Sequence, residues 1–332
     1  MGMRYEFMAD TGIQVSALAL GTMSFGGDAD TATSRDLFHR CRDAGINLFD
    51  CADAYQKGRA EEILGELVAD CREEVLITSK GFFPTADHPN AQGASRRHLQ
   101  RAVDASLRRL HTDWIDIYFV HRFDGKTALE ETLRALDDLV RQGKILYIGA
   151  SNFAAWQVEK ALGVSAREQL TAFKCVQPMY NLVKRQAEVE ILPMAEAENL
   201  GVFPYSPLGG GLLSGKYGRD RHPGSGRIVD HPLYRVRYRD EEVFATAERF
   251  TQFARERGYE PVALAIAWVG SHPAVTAPLI GARNVQQLEG ALGAMAIQMT
   301  PELRDEISAL STAPPPATDR SEEGGGASLL VR

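Results

Sequence analysis

Side chains able to hold and move protons follow short apolar runs at three places in this sequence. Asp50 and Tyr55 lie in Asp50-Cys-Ala-Asp-Ala-Tyr55, Lys80 closes Thr78-Ser-Lys80, and His121 opens His121-Arg-Phe-Asp124. Two later runs end in Ser151-Asn152 and lead to Gln177, adding a hydroxyl and two carboxamides. Singly, each has an ordinary explanation. An aspartate at a strand end is usually a turn residue, a lysine a solvated charge, and a histidine a satisfied polar side chain. Together they place an acid, a phenol, an ammonium and an imidazole at successive strand ends. In a parallel barrel such ends share one rim, where active sites are built.

The elements that would carry them alternate along the chain. Apolar runs at Val15–Leu20, Ile46–Phe49, Val75–Ile77, Ile115–Val120, Ile145–Ile148, Phe173–Val176, Val202–Tyr205 and Val275–Ile280 read as eight strands. Runs apolar on both faces belong to buried parallel strands. Between them lie helical patterns. Ser95 can cap a segment with Leu99, Val103 and Leu107 on one face. Thr127-Ala-Leu-Glu130 has the capping-box pattern before Leu133, Leu136 and Val140, with a stop near Gly143. Leu37, Phe38, Cys41 and Ala44 form a third stripe ending at Gly45. Eight β-α steps without a composition break predict an α/β fold, a (β/α)₈ TIM barrel, over residues 1–311. The alternative is an open doubly wound sheet, which commonly announces itself with a glycine-rich first turn.

Three segments fall outside the alternation. Arg4 to Val15, around Asp10-Thr-Gly12, predicts an N-terminal β-hairpin. Leu213 to Glu241 predicts a long loop after the seventh strand, rich in Arg, Gly, Pro and Tyr. Residues 312–332 offer no apolar face, and a disordered tail is expected there.

Composition narrows the function. Lys and Arg number 37 against 44 Asp and Glu, a net charge of −7 that argues against nucleic-acid and anionic-membrane binding. The four cysteines form no C-x-x-C pair and read as reduced thiols. There is no secretory h-region and no apolar stretch of about 18 residues. A cytoplasmic protein without a membrane or nucleic-acid partner is expected.

The words "LGTMSFG", "NLFDCADAY", "LITSK", "DIYFVHR", "GKILYIGASNF", "VQPMYNL", "PYSPLGGGLLSGKY" and "LIGARNVQQLE" resemble the aldo-keto reductase superfamily. Within it they look closest to the branch of bacterial oxidoreductases and potassium-channel β subunits. The resemblance runs from Gly21 to Arg283 and implies a catalytic tetrad of Asp50, Tyr55, Lys80 and His121. Carbonyl reduction develops alkoxide charge that must gain a proton. A free phenol, with a pKa of about 10, gives its proton up poorly at neutral pH. An ammonium beside it favours phenolate, so Lys80 would lower the Tyr55 pKa. Asp50 would keep the buried ammonium charged. His121 would orient the substrate oxygen.

The same resemblance implies NADPH as cofactor. Ser151, Asn152 and Gln177 match a nicotinamide clamp, and Tyr205 matches the aromatic platform beneath the ring. Asn152 could equally be a helix N-cap, and Tyr205 core. Gly21, Thr22, Met23, Ser206, Leu208, Gly211 and Gly281 fall in the words that line the cofactor. Gly210-x-x-x-x-Gly215-Lys216 also fits a P-loop, but Tyr217 stands where a magnesium-binding hydroxyl should be. The resemblance gives this loop, with Lys216, to the pyrophosphate. Arg219, Arg221 and Arg227 can assist there or form a solvated face. Arg283 and Gln287 would meet the 2′-phosphate, while Gly290-Ala291 stands where many relatives carry a Glu-Asn that reads adenine.

Met23, Phe25, Phe82 and Phe123 follow strand ends and are candidates for an apolar substrate wall. There is no H-E-x-x-H, G-x-S-x-G or G-x-G-x-x-G, and no metal is expected. The expected partner is a small carbonyl compound; neither its identity nor the oligomeric state is legible. A second reading is a regulatory subunit that senses cofactor state, which a long N-terminal segment would mark. The domain begins within a few residues of Met1, so the enzyme is the expectation.

Overall fold

The computed structural model describes residues 2–318. A hairpin comes first: β1 (Tyr5–Phe7) pairs antiparallel with β2 (Gln14–Ser16). Eight parallel strands follow. These are β3 (Ala19–Gly21), β4 (Leu48–Asp50), β5 (Leu76–Gly81), β6 (Ile115–Val120), β7 (Ile145–Ser151), β8 (Cys175–Gln177), β9 (Gly201–Val202) and β10 (Leu279–Ile280). Sheet order runs β10-β3-β4-β5-β6-β7-β8-β9. A Leu279 N–H to Pro204 O bond of 2.9 Å and a Tyr205–Leu279 bridge join the last two strands. This is the (β/α)₈ barrel expected from the alternation.

Six helices fill the first connections: α1 (Thr31–Asp43), α2 (Arg59–Val68), α3 (Arg96–Leu110), α4 (Leu129–Arg141), α5 (Ala155–Glu168) and α6 (Ile191–Ala197). Ser95 caps α3, its hydroxyl accepting from the His98 N–H, and Leu99 and Val103 are buried as their spacing requires. Alternation of side chains separates two cores. Leu48, Ile117, Phe119, Cys175, Phe203 and Leu279 fill the barrel, and Met8 and Val15 from the hairpin join them. The hairpin thus stops the N-terminal end and leaves the opposite rim for chemistry.

Several sequence expectations need correction. Val15–Leu20 is not one strand. Val15 belongs to the hairpin, and the Ser16 hydroxyl donates to Leu18 O at 2.7 Å in the bend that separates β2 from β3. Thr127 does not cap α4: Ala128 holds the N-cap position, and the Thr127 hydroxyl donates to Asp124 Oδ2 at 2.7 Å. Asp124, nearer in the turn, takes that hydroxyl first. The segment after β9 is not a plain loop. It contains α7 (Arg227–Asp230) and α8 (Pro232–Arg237) before α9 (Glu241–Glu256) and α10 (Pro261–Gly270). After β10 come α11 (Val285–Leu292) and α12 (Pro301–Ser308). The expected disorder of the tail falls, from residue 319 on, outside the described residues.

Candidate active site

The C-terminal strand ends bring the acid–base residues together. Asp50 ends β4, Lys80 lies one residue from the end of β5, and His121 follows β6. Lys80 is fully buried, and its ammonium donates to three oxygens. These are Asp50 Oδ2 at 2.6 Å, Cys51 O at 2.7 Å and the Tyr55 hydroxyl at 3.2 Å. Asp50 is itself fixed. Its Oδ1 accepts from the Thr78 hydroxyl at 2.6 Å and from Gln177 Nε2 at 2.8 Å. Three strands therefore hold one carboxylate, and the carboxylate holds the ammonium.

Tyr55 comes from the connection between β4 and α2, where Gln56 and Lys57 adopt left-handed backbone and Gly58 (φ 93°) turns the chain into α2. Burial pushes the phenol up to about 12, although Lys80 pulls it down. Lys80 pulls the phenol down as the sequence leads one to expect, by its charge and its hydrogen bond, but desolvation, which the sequence reading left out, is the larger effect. The phenol is protonated at neutral pH, as a proton donor must be. Burial opposes the Lys80 charge too, but Asp50 and Tyr55 outweigh it and raise Lys80 to about 12. Burial, reinforced by Lys80, pushes His121 down to about 3. Its ring is neutral at physiological pH and can donate one N–H. The His121 and Tyr55 rings stand 6.0 Å apart, edge to face.

A polar strip continues along the rim. The Ser151 hydroxyl donates to Gln177 O at 3.1 Å. Asn152 donates to His121 O and to the Ser151 hydroxyl, both at 3.0 Å, while its own Oδ1 accepts from the Tyr205 hydroxyl at 2.7 Å. Asn152 is not a helix cap: Ala154 is the N-cap of α5, and Asn152 sits in left-handed backbone (φ 57°) with its amide turned to the rim. Gln177 spends one amide hydrogen on Asp50, and its carbonyl oxygen remains an acceptor. Thr22 is buried, and both its N–H and its hydroxyl donate to Asp50 O.

Gly209–Ser214 forms a tight helical turn after β9, in which Gly210 and Gly211 have φ of 69° and 101°. The Gly210 N–H donates to the Ser206 hydroxyl at 3.2 Å. Leu208 and Gly211 are half-buried, and Lys216 and Gly281 are exposed. Arg283 pairs with Asp28 at 2.9 Å, and Gln287 Oε1 accepts from the Arg283 N–H at 3.1 Å. Asn284, rather than Arg283, caps α11. Ala291 is buried in the core.

The four candidates for a substrate wall divide. Met23, Phe82 and Phe123 are half-buried, whereas Phe25 is fully buried in the core and does not reach the rim. Two aromatic neighbours escape the sequence reading. Phe83 lies 4.8 Å from the His121 ring, and the exposed Trp156 lies 5.9 Å from Phe123. Phe83 is adjacent to Phe82, and Trp156 interrupts the polar face of α5; both signals are in the sequence. A cavity of about 610 Å³ lies elsewhere, beside the hairpin, bordered by Arg4, Phe7, His272 and Met295 and by none of the rim residues. Among the described residues no cluster of His, Cys, Asp and Glu is placed to hold a metal ion, and no helix is long and apolar enough to cross a membrane.

The donor set fits a nicotinamide dinucleotide: carboxamides and hydroxyls at the rim beside Tyr205, a left-handed glycine turn, and a guanidinium after β10. The model of the aldo/keto reductase family matches residues 17–312. A probable voltage-gated potassium channel subunit beta of Oryza sativa subsp. japonica is 34% identical over 326 residues, covering 96% of this chain and 99% of that protein. An uncharacterized oxidoreductase, YrpG, of Bacillus subtilis (strain 168) is 36% identical over 317 residues, covering 91% and 94%. A norsolorinic acid reductase of Aspergillus flavus is 32% identical over 322 residues, covering 92% and 80%.

Proposed function

The chain belongs to the aldo/keto reductase family, and from that premise we propose that it reduces an aldehyde or ketone to an alcohol with NADPH, Tyr55 giving the proton. Membership and the reductase relatives support carbonyl reduction in general. One observation carries the finer reading: a single buried ammonium bonded at once to Asp50, Cys51 O and the Tyr55 hydroxyl.

The bound cofactor supplies the hydride. The chain's residues do the rest. Lys80, kept charged by Asp50, stabilises the phenolate that forms as Tyr55 passes its proton to the developing alkoxide. Neutral His121 donates a hydrogen bond to the same oxygen and aligns the carbonyl. Ser151, Asn152 and Gln177 would hold the carboxamide, with Tyr205 under the ring. Gly211 and Lys216 would face the pyrophosphate, and Arg283 and Gln287 the 2′-phosphate. Gly21, Thr22, Met23, Ser206, Leu208 and Gly281 complete that surface. Met23, Phe82 and Phe123 would wall the substrate. The free cysteines suit a reducing compartment, and we place the enzyme in the cytoplasm.

The test is a panel of aldehydes and ketones followed by NADPH absorbance, with Tyr55→Phe beside the native chain. Turnover that Tyr55→Phe removes supports the reading; turnover that it leaves unchanged defeats it. A second reading, a cofactor-sensing subunit, is favoured by the similarity to proteins named as potassium channel β subunits. It requires tight cofactor binding without turnover of any carbonyl in the panel.

A further inference from the structure

Behind the catalytic lysine lies a carboxyl group that the mechanism does not use. Asp53 is 3% exposed, and neither of its side-chain oxygens has a hydrogen-bond partner among the described residues. It sits at the root of the connection that carries Tyr55, its backbone N–H donating to Lys80 O at 3.1 Å. The hydroxyl of Tyr118 is a second orphan, fully buried and equally unpartnered. Tyr118 pairs in register with Ser79, and its hydroxyl lies over Gly81, where an added Cβ would stand 2.3 Å away.

The charged and titratable groups that face Asp53 are Glu61 from α2, Arg109 from α3, Lys80 from β5 and Tyr118 from β6. Both cations are already matched. Arg109 binds Glu61 at 2.6 Å, with the Ser79 hydroxyl donating to the same carboxylate at 2.5 Å, and Lys80 binds Asp50. Two positive and two negative charges leave no counter-charge for a third carboxylate. A buried, unpaired carboxylate is costly, and such a group keeps its proton instead. Burial, with Glu61 adding to it, pushes Asp53 up to about 7 against the pull of Arg109, of the nearby Ala54 N–H and of Lys80.

We propose that Asp53 is a positioning residue, carried as a neutral acid, whose ionisation weakens Tyr55 as proton donor. A negative charge that feels Lys80 disfavours a phenolate at Tyr55, which the ammonium holds at the longest of its three contacts. Asp53 touches neither substrate nor cofactor; it acts through Lys80. This role depends on Tyr55 being the proton donor, as proposed above.

The experiment compares the native chain with Asp53→Asn and Tyr118→Phe by two measurements. The first is kcat for carbonyl reduction from pH 5.5 to 8.5. Native kcat should fall about three- to tenfold as Asp53 ionises, the scale of losing part of a general-acid contribution. Asp53→Asn, a neutral isostere, should show no such fall. Tyr118→Phe removes a hydroxyl able to solvate a carboxylate and should move the edge to higher pH. It also keeps the proposal testable if Asp53→Asn does not fold.

The second measurement is melting temperature from pH 4 to 8 without cofactor. The folded pKa of Asp53 is raised, so its stabilising contribution is full below the unfolded value near 4 and is lost as pH rises through about 7. The melting temperature of the native chain, less that of Asp53→Asn, should decline over that window. A fall in kcat that persists in Asp53→Asn, or an edge that Tyr118→Phe leaves in place, overturns the proposal. If the native chain reduces no carbonyl, the proposed function falls and the coupling with it. The melting difference, read without turnover, then still shows whether Asp53 holds a proton.

Discussion

Arg283 Nε stands 2.9 Å from Asp28 Oδ2, so the guanidinium proposed to meet the 2′-phosphate already faces a carboxylate. Both side chains are partly solvated, and such a pair contributes at most about 1 kcal/mol. The contact uses Nε and leaves the two Nη groups of the fork for a phosphate. Arg283→Ala should therefore weaken NADPH about ten- to a hundredfold, the worth of a charged hydrogen bond, and NADH far less. Asp28→Ala removes a repulsion and should tighten NADPH by no more than about fivefold. Fluorescence titration of both cofactors decides it. Equal weakening of NADPH and NADH by Arg283→Ala would show that the residue does not read the phosphate.

Tyr55→Phe keeps the ring and deletes the acid. Carbonyl reduction should drop by about 10²–10⁴, with cofactor affinity near native. A variant that retains half the native turnover would remove Tyr55 from the proton-donor role.

Lys80→Met leaves Asp50 buried without its cation and Tyr55 without its ammonium. Turnover should vanish at every pH. Asp50→Asn should do less harm, because the ammonium survives and Cys51 O still accepts from it. Measuring kcat for both variants orders them. If Asp50→Asn is the more damaging, the carboxylate does more than hold the lysine.

His121 is held neutral by burial, with the Lys80 charge adding to the effect. Its folded pKa, about 3, lies below the unfolded value of about 6.5. The unfolded chain binds the extra proton between those values, so the stability contributed by the neutral ring is lost as pH falls from 6.5 toward 3. The melting temperature of His121→Asn, which carries no titrating ring, should fall less steeply than native over that window. Apart from the fall assigned to Asp53, which Asp53→Asn removes, the kcat profile should show no limb near pH 6.5. A limb at that pH which His121→Asn abolishes would mean that the imidazole ionises in the folded site.

The rim is legible because each of its residues closes or follows an apolar run that reads as a buried strand: Asp50, Ser151 and Gln177 end strands, His121 follows one, and Lys80 is the next-to-last residue of β5. What escapes depends on contacts between residues far apart in the chain, or on competition within a turn. Nothing local separates Val15 from Leu20; the break arises because Asn47 accepts from the Ser16 N–H at 2.8 Å and seats the bend. Thr127 and Asp124 are both good turn acceptors, and the winner is set by the Ala94 N–H reaching Asp124 across the loop at 2.9 Å. Phe82 and Phe83 are equivalent in sequence, but only packing puts Phe83 against His121. The sign at Tyr55 escapes for the same kind of reason. The pull of Lys80 is legible, and the larger desolvation is a property of the packed site.

Gly210 is the point at which the segment after β9 rests on the glycine turn. Its φ is 69°, and an added Cβ would stand 2.9 Å from Tyr234 Cδ1 and 3.2 Å from Tyr238 Cε2. Tyr234 lies on α8 and Tyr238 just beyond it, so the two rings press this helix against the turn. Gly210→Ala has two consequences. A left-handed non-glycine residue costs roughly 1 kcal/mol, and the tyrosines must retreat. If the turn faces the cofactor as proposed, displacing α8 should weaken NADPH about three- to tenfold, on the scale of about 1 kcal/mol. The loss should appear mainly in a faster dissociation rate. Gly224→Ala, in the same segment but with open space around its Cβ, is the control and should bind as the native chain does. Stopped-flow displacement of NADPH gives both rates. If Gly210→Ala releases NADPH at the native rate, the glycine turn and the helix packed on it do not touch the cofactor.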